Sequence, residues 1–266
     1  MTTPNPMTAT PARASALLAN LTAVTARITT ATRQSQTPKP VRLVAVSKLK
    51  PASDALALHQ PPASQLHFGE NYLQELLEKS RLLPPTIKWH FIGGLQSNKC
   101  VTLARDVRGL WAVESVDTEK KAKLLDKGWG ERSEDVKAHA EDGGQLRIYV
   151  QVNTSGEANK AGIEPEAAAG LCRYIRDQCP GLKLQGVMTI GAIARSKETT
   201  AENVNEDFVC LRETRDRVVK ELGLEELELS MGMSSDYEGA IALGSDQVRV
   251  GTTIFGDRPP KAEAVV

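Results

Sequence analysis

A lysine closes a run that should be a buried strand: Val41-Arg42-Leu43-Val44-Ala45-Val46-Ser47-Lys48. Val41, Val44 and Val46 favour a strand, and Leu43 and Ala45 leave no polar gap in it. Pro51 stops the sheet soon after. A lysine just past the C-terminal end of a parallel strand faces the mouth of an α/β fold, where ligands bind. Partly desolvated there, its amine would have a lowered pKa and could attack a carbonyl to form a Schiff base. The ordinary alternative is a lysine that ends a strand and reaches water.

Two later stretches could bind an anion. Ser230-Met231-Gly232-Met233-Ser234-Ser235-Asp236 precedes a helical Tyr237–Leu243, and Gly251-Thr252-Thr253-Ile254-Phe255-Gly256 makes a second glycine and hydroxyl turn. Both offer backbone N–H and side-chain O–H donors; each, taken singly, also reads as plain helix capping. A strand-end lysine and a phosphate grip together suggest a phosphorylated aldehyde, pyridoxal 5'-phosphate (PLP). That cofactor needs a lysine, donors for its phosphate and a partner for its ring nitrogen. Arg249, in Val248-Arg249-Val250-Gly251, could be the ring partner or an arginine held in a salt bridge.

Eight strand-like runs would position these groups: Val41–Val46, Gln65–Phe68, Ile87–Ile92, Gly109–Val113, Leu146–Val152, Leu184–Ile190, Leu227–Leu229 and Val248–Val250. Helical stripes lie between most of them: Leu73, Leu76 and Leu77; Ala168, Leu171, Cys172 and Ile175; Val204, Phe208, Leu211, Val218 and Leu222. The alternation predicts a single (β/α)8 TIM-type barrel with an added N-terminal helix. A doubly wound open sheet is the alternative, but no G-x-G-x-x-G follows the first strand. Residues 1–11 read as a disordered tail, 12–256 as the barrel with its leading helix, and 257–266 as a frayed C-terminal tail. Trp129–Gly144 reads as a solvated insertion on the rim, and Ala194–Asn203 as another loop.

Composition excludes several classes. Lysine plus arginine and aspartate plus glutamate are 33 each, so no global field draws the chain to nucleic acid or an anionic membrane. The four cysteines form no C-x-x-C pair and read as reduced thiols of an intracellular protein. The four histidines show no metal-ligand spacing and read as core or surface residues. No apolar run approaches the roughly 20 residues of a bilayer span. No acidic residue precedes Asp54, whereas Arg13, Arg27, Arg33, Lys39 and Arg42 do. That composition suits a mitochondrial transit peptide, but Leu17, Leu21, Val24 and Ile28 make a helical stripe that favours a structural helix. The expected location is cytoplasmic, with mitochondria left open.

Several segments, taken in order, carry a resemblance. They are Ala45-Val46-Ser47-Lys48, Phe68-Gly69-Glu70-Asn71-Tyr72, Trp89-His90-Phe91-Ile92-Gly93, Leu95-Gln96-Ser97-Asn98-Lys99, Leu229-Ser230-Met231-Gly232-Met233-Ser234, Val248-Arg249-Val250-Gly251 and Ile254-Phe255-Gly256. From about Val41 to Gly256 the chain resembles the pyridoxal phosphate homeostasis protein family, which is similar to the barrel domain of alanine racemase. The resemblance implies PLP as cofactor, with Lys48 as the Schiff-base lysine and Arg249 facing the pyridine nitrogen. It places Ser230, Ser234, Gly251 and Thr252 in the phosphate motifs, Asn71 on the pocket wall and Met188 near the ring. Two residues depart from the family pattern. Gly94 replaces a proline and should loosen a loop, and Asp246 replaces a hydroxyl residue and would weaken binding if it faced the phosphate.

Racemisation needs acid–base groups on both faces of the cofactor. Alanine racemase-like enzymes take one, a tyrosine, from a second domain, and only ten residues follow Gly256. An arginine at the pyridine nitrogen also weakens the electron sink. The expectation is therefore a non-catalytic, monomeric protein that holds PLP as a lysine aldimine. It would buffer the cofactor and serve apo forms of PLP enzymes. An amino-acid racemase is the alternative.

Overall fold

In the computed structural model, residues 8–35, 38–137, 144–157, 160–192 and 204–264 are described. The eight strand-like runs become eight parallel strands that close on themselves in sequence order. They are β1 (Arg42–Val46), β2 (His67–Glu70), β3 (Lys88–Phe91), β4 (Leu110–Val116), β5 (Leu146–Gln151), β6 (Leu182–Met188), β7 (Glu228–Met233) and β8 (Gln247–Val250). The last pairs in parallel with the first, Arg249 lying opposite Val44 and Val250 opposite Ala45. The fold is the expected (β/α)8 barrel, with all strand C-termini at one mouth.

A helix, α1 (Pro11–Gln34), leads into the barrel. Thr10 caps it and Pro11 occupies its first turn, so Pro11 belongs to the helix and not to the tail predicted to include it. The predicted stripe of Leu17, Leu21, Val24 and Ile28 is its buried face. Outer helices follow: α2 (Ala52–His59), α3 (Leu73–Leu82), α4 (Ser97–Asp106), α5 (Glu119–Gly130), α6 (Glu134–Lys137), α7 (Ala168–Gln178), α8 (Glu206–Leu222), α9 (Tyr237–Ala242) and α10 (Thr252–Phe255). Across the seam of the barrel, Arg27 of α1 pairs with Glu238 and Asn20 donates to the Ile254 carbonyl at 3.0 Å.

Three local expectations change. Trp129, assigned to a solvated insertion, is buried at the end of α5 with the Arg132 guanidinium 3.1 Å from its ring centroid. The charged neighbours hid one large apolar anchor. Val204, assigned to a helical stripe, is exposed and precedes Asn205, the N-cap of α8. Asp257 to Lys261, assigned to a frayed tail, fold back on the barrel. Lys50 donates to the Asp257 carbonyl at 2.5 Å, and the Lys261 ammonium lies 4.4 Å from the Tyr72 ring centroid. The predicted Ala194–Asn203 loop and the first seven residues lie outside the described residues.

Candidate functional site

Lys48 sits in the turn that leaves β1, half-buried at the barrel mouth. Burial pulls its pKa down to about 8, and the nearby Arg258 and Arg249 cations add to the fall while Glu70 and Glu75 oppose it. An amine in this state is largely neutral at mildly alkaline pH and is a competent nucleophile. The turn is strained. Leu49 has φ of 60°, in the left-handed region that costs a branched side chain roughly 1–2 kcal/mol.

Beneath that turn is a buried ion cluster. Lys79 of α3, with no solvent exposure, donates to the Ser47 carbonyl at 2.8 Å and to Glu70 and Glu75 at 2.7 Å each. The Ser47 hydroxyl donates to Glu70 at 2.7 Å, and the Leu49 N–H donates to Glu75 at 2.7 Å. Burial raises the Glu70 pKa above the usual carboxylate range, with Lys79 opposing it.

A second network fills the barrel interior, where aliphatic layers are the norm. Arg249, buried on β8, donates to the Ser230 hydroxyl at 2.6 Å and to the Thr189 carbonyl at 2.7 Å. Thr189 follows the last residue of β6, so the guanidinium stands at the mouth end of that strand. Ser230 donates to Glu114 of β4 at 2.6 Å, and Gln247 bridges Glu114 and Ser230. Glu114 also meets His90 at 2.7 Å, and His90 meets His67 at 2.8 Å. Burial holds the His67 pKa down at about 2, so that ring stays neutral, and burial lowers the His90 pKa against the pull of Glu114. Burial alone would raise the Glu114 pKa, but hydrogen bonds and the charges around it take it below the ordinary range. Burial lowers the Arg249 pKa, and Glu114 counters that loss. Glu114 is therefore the larger of two anionic influences on Arg249, with Asp236 the second.

The remaining predicted residues fall at three places. Ser234 and Gly251 meet at the mouth, the Gly251 N–H donating to the Ser234 hydroxyl at 3.1 Å, with Thr252 exposed beside them. A Cβ on Gly251 would lie 3.2 Å from the Arg258 guanidinium and 3.3 Å from Val46, so glycine permits that close approach. Asn71 ends the β2 turn with its Oδ1 buried and unpartnered among the described residues. A Cβ on Gly93 would sit 2.1 Å from the Asn71 carbonyl oxygen, which accounts for the glycine of the Phe-Ile-Gly stretch. Met188 ends β6 and is buried in the barrel with Trp111, Ala112 and Tyr149.

Ser230 is not where a phosphate motif would put it. It lies within β7, fully buried, its hydroxyl taken up by Glu114, Gln247 and Arg249. Asp246 is also displaced from the expected threat. It precedes β8 at the end away from the mouth, accepts from the Leu229 N–H at 2.7 Å and pairs with Lys39. Gly94 is exposed, and a Cβ there would meet nothing within 4 Å. Lys79, Glu114 and Arg258 were not singled out from the sequence. The only local signal was the Glu75/Lys79 spacing of four, which ordinarily marks a solvated helix pair.

Residues 19–259 match the family model for the N-terminal domain of alanine racemase. A pyridoxal phosphate homeostasis protein of Schizosaccharomyces pombe is 45% identical over 229 residues, covering 85% of this chain and 88% of that one. The chain belongs to the pyridoxal phosphate homeostasis protein family. A Caenorhabditis elegans protein of the same name is 45% identical over 232 residues, covering 85% of this chain and 90% of its own. Among solved structures, PipY of Synechococcus elongatus with PLP bound superposes with a TM-score of 0.70 at 30% identity. That match covers 90% of this chain and 100% of the other. No helix among the described residues is long and apolar enough to cross a membrane.

Proposed function

We propose that this protein binds PLP in the barrel mouth and serves its homeostasis as a carrier or buffer. The observation that carries this reading is the lowered-pKa amine of Lys48 at the mouth, with the buried Arg249 guanidinium on the strand beside it. The residues fit the cofactor. Lys48 supplies the amine for covalent attachment as a Schiff base, and Arg249 the partner for the pyridine nitrogen. Ser234, Gly251 and Thr252 offer phosphate donors, and the unpartnered Asn71 Oδ1 offers a polar contact on the wall. Met188 lines the interior below the mouth. Ser230 acts through Arg249, holding its guanidinium. PLP bound here contributes a reactive aldehyde and an electron-withdrawing ring.

Holding is favoured over turnover by what surrounds the tyrosines. Tyr149 is buried against Glu228, and Tyr237 packs under Arg27 of α1. Tyr174 lies on α7, on the barrel exterior. Tyr72 lies near the mouth, but its ring is covered by the Lys261 ammonium. An arginine at the ring nitrogen leaves that nitrogen unprotonated and the electron sink weak. The protein is expected to act as a monomer that supplies apo forms of PLP enzymes.

Borohydride reduction of the PLP-soaked protein, followed by peptide mapping, should place one pyridoxyl group on Lys48. A label on another lysine, or none, overturns the assignment. Incubation with amino acids in deuterated water should give no sustained Cα exchange. Exchange abolished by Lys48→Ala would replace the carrier with a racemase-like enzyme.

A further inference from the structure

The reactive lysine sits on a turn whose two flanking peptides are both tied to one buried ion cluster. Ser47, before Lys48, gives its carbonyl to Lys79 at 2.8 Å and its hydroxyl to Glu70 at 2.7 Å. Leu49, after Lys48, gives its N–H to Glu75 at 2.7 Å. The three contacts of the Lys79 ammonium, to Ser47, Glu70 and Glu75, match its three protons, so it has no capacity left for another role. Lys79 and Glu70 have no exposure and Glu75 is 8% exposed, so solvent does not compete for these bonds. The same cluster holds Leu49 at φ 60°, a conformation a leucine would not keep unaided.

We propose that Lys79, Glu70 and Glu75 are positioning residues for Lys48, holding the Ser47–Leu49 turn so that the amine is presented to the ligand in the barrel mouth. This rests on the reading of Lys48 as the cofactor-attaching residue. Burial of an ion cluster is by itself a poor way to stabilise a fold, because apolar residues of similar volume usually do as well. A cluster whose bonds converge on the backbone either side of one lysine has a more specific use. The charged groups acting on Lys48 come from three directions: Arg258 from the C-terminal segment, Arg249 from β8, and Glu70 with Glu75 from β2 and α3.

The test compares the full-length protein with Glu75→Leu/Lys79→Met. The double change removes one charge of each sign and keeps the local net charge. Glu70, left without Lys79, keeps the Ser47 hydroxyl as donor and takes up a proton more readily, its pKa being raised by burial already. Competitive acetylation with acetic anhydride across pH, read by peptide mapping, measures Lys48 without any cofactor. In the parent protein Lys48 should titrate near 8. Loss of the Glu75 charge by itself lowers the Lys48 pKa, but burial is the largest cause of its shift. Release of the turn into water should therefore outweigh that loss, move the titration of the folded double variant towards the ordinary lysine range and cut labelling near pH 8 by about tenfold. Adding Leu49→Gly should restore part of that loss, because glycine takes a positive φ without strain.

Unchanged or increased Lys48 labelling in the folded double variant, which is what loss of the Glu75 charge without release of the turn would give, or no rescue by glycine, overturns the proposal. Ser47→Ala covers the case of a double variant that fails to fold. It deletes only the hydroxyl bond to Glu70 and should cut labelling by about two- to threefold; no change would overturn the proposal equally. Borohydride trapping of PLP, run in parallel, separates the two readings. A Lys48 that responds as expected but never traps PLP removes the cofactor assignment and leaves the positioning role standing.

Discussion

Two buried charge networks lie under the mouth of this barrel, and they hold different kinds of object. The Lys79 cluster grips backbone: a carbonyl on one side of Lys48 and an N–H on the other. The Glu114 network grips a side-chain head group, reaching Arg249 through Ser230 and continuing to His90 and His67. A flexible lysine can be aimed by fixing the turn that carries it, while its amine stays free to react. A guanidinium that must stay still and stay charged is instead pinned atom by atom, with a carboxylate in reserve.

The comparison breaks first at Glu114. Glu114→Ala removes the larger anionic influence on the buried Arg249, leaving Asp236, and strips Ser230, Gln247 and His90 of their shared acceptor. The expected loss of stability is about 3–5 kcal/mol, read from denaturant midpoints. Glu114→Gln combined with Arg249→Met removes both charges and should recover most of that loss while PLP binding stays poor. A double variant as unstable as Glu114→Ala would mean that the network serves packing alone.

The two networks also differ in how acid reaches them. His67 and His90 have lowered pKa values in the fold, so between about 2 and 6.5 the unfolded chain binds more protons than the folded one at His67. Stability is then present at neutral pH and lost as pH falls below 6.5, by up to about 1.4 kcal/mol per pH unit at His67. Glu70, shifted upwards, works in the opposite direction as pH rises. His67→Gln should therefore flatten the acid limb of a stability–pH curve, and an unchanged limb would show that the histidine chain is not what acid attacks.

At Lys48 the expected effect is kinetic. The neutral amine reacts, so the rate of covalent attachment of PLP should rise as pH passes about 8 and then level off. Arg258→Ala removes a cation that lowers the Lys48 pKa, which moves the inflection upwards and slows attachment near pH 7.5 by roughly two- to fivefold. An inflection that stays in place would mean burial alone sets the amine.

Much of this architecture was legible because it is periodic. The strand runs, the α1 stripe and the lysine at the end of β1 all follow from local residue type. Ser230 was misplaced for a local reason too. The β-like run breaks at Gly232 and suggests a strand ending at Leu229, whereas β7 continues to Met233 and carries Ser230 inside the barrel. Lys79 and Glu114 were not legible, since the partners that tie them to the mouth stand far away in the chain: Ser47 is 32 residues from Lys79, and Ser230 is 116 from Glu114. Trp129 was lost among charged neighbours, although one tryptophan can bury more surface than several of them expose.

The smallest effect is expected at Asp246, and it tests whether the two ends of the barrel are independent. A carboxylate beside a phosphate would repel it, but Asp246 precedes the first residue of β8 while Gly251 follows the last. Asp246 is occupied by the Leu229 N–H and by Lys39, which is 39% exposed and so contributes little through its charge. Asp246→Ser keeps an acceptor for the N–H and should cost less than about 1 kcal/mol. PLP affinity, measured by fluorescence or absorbance titration, should not change. A tighter complex in this variant would show that the carboxylate is felt at the mouth, across the length of the strand.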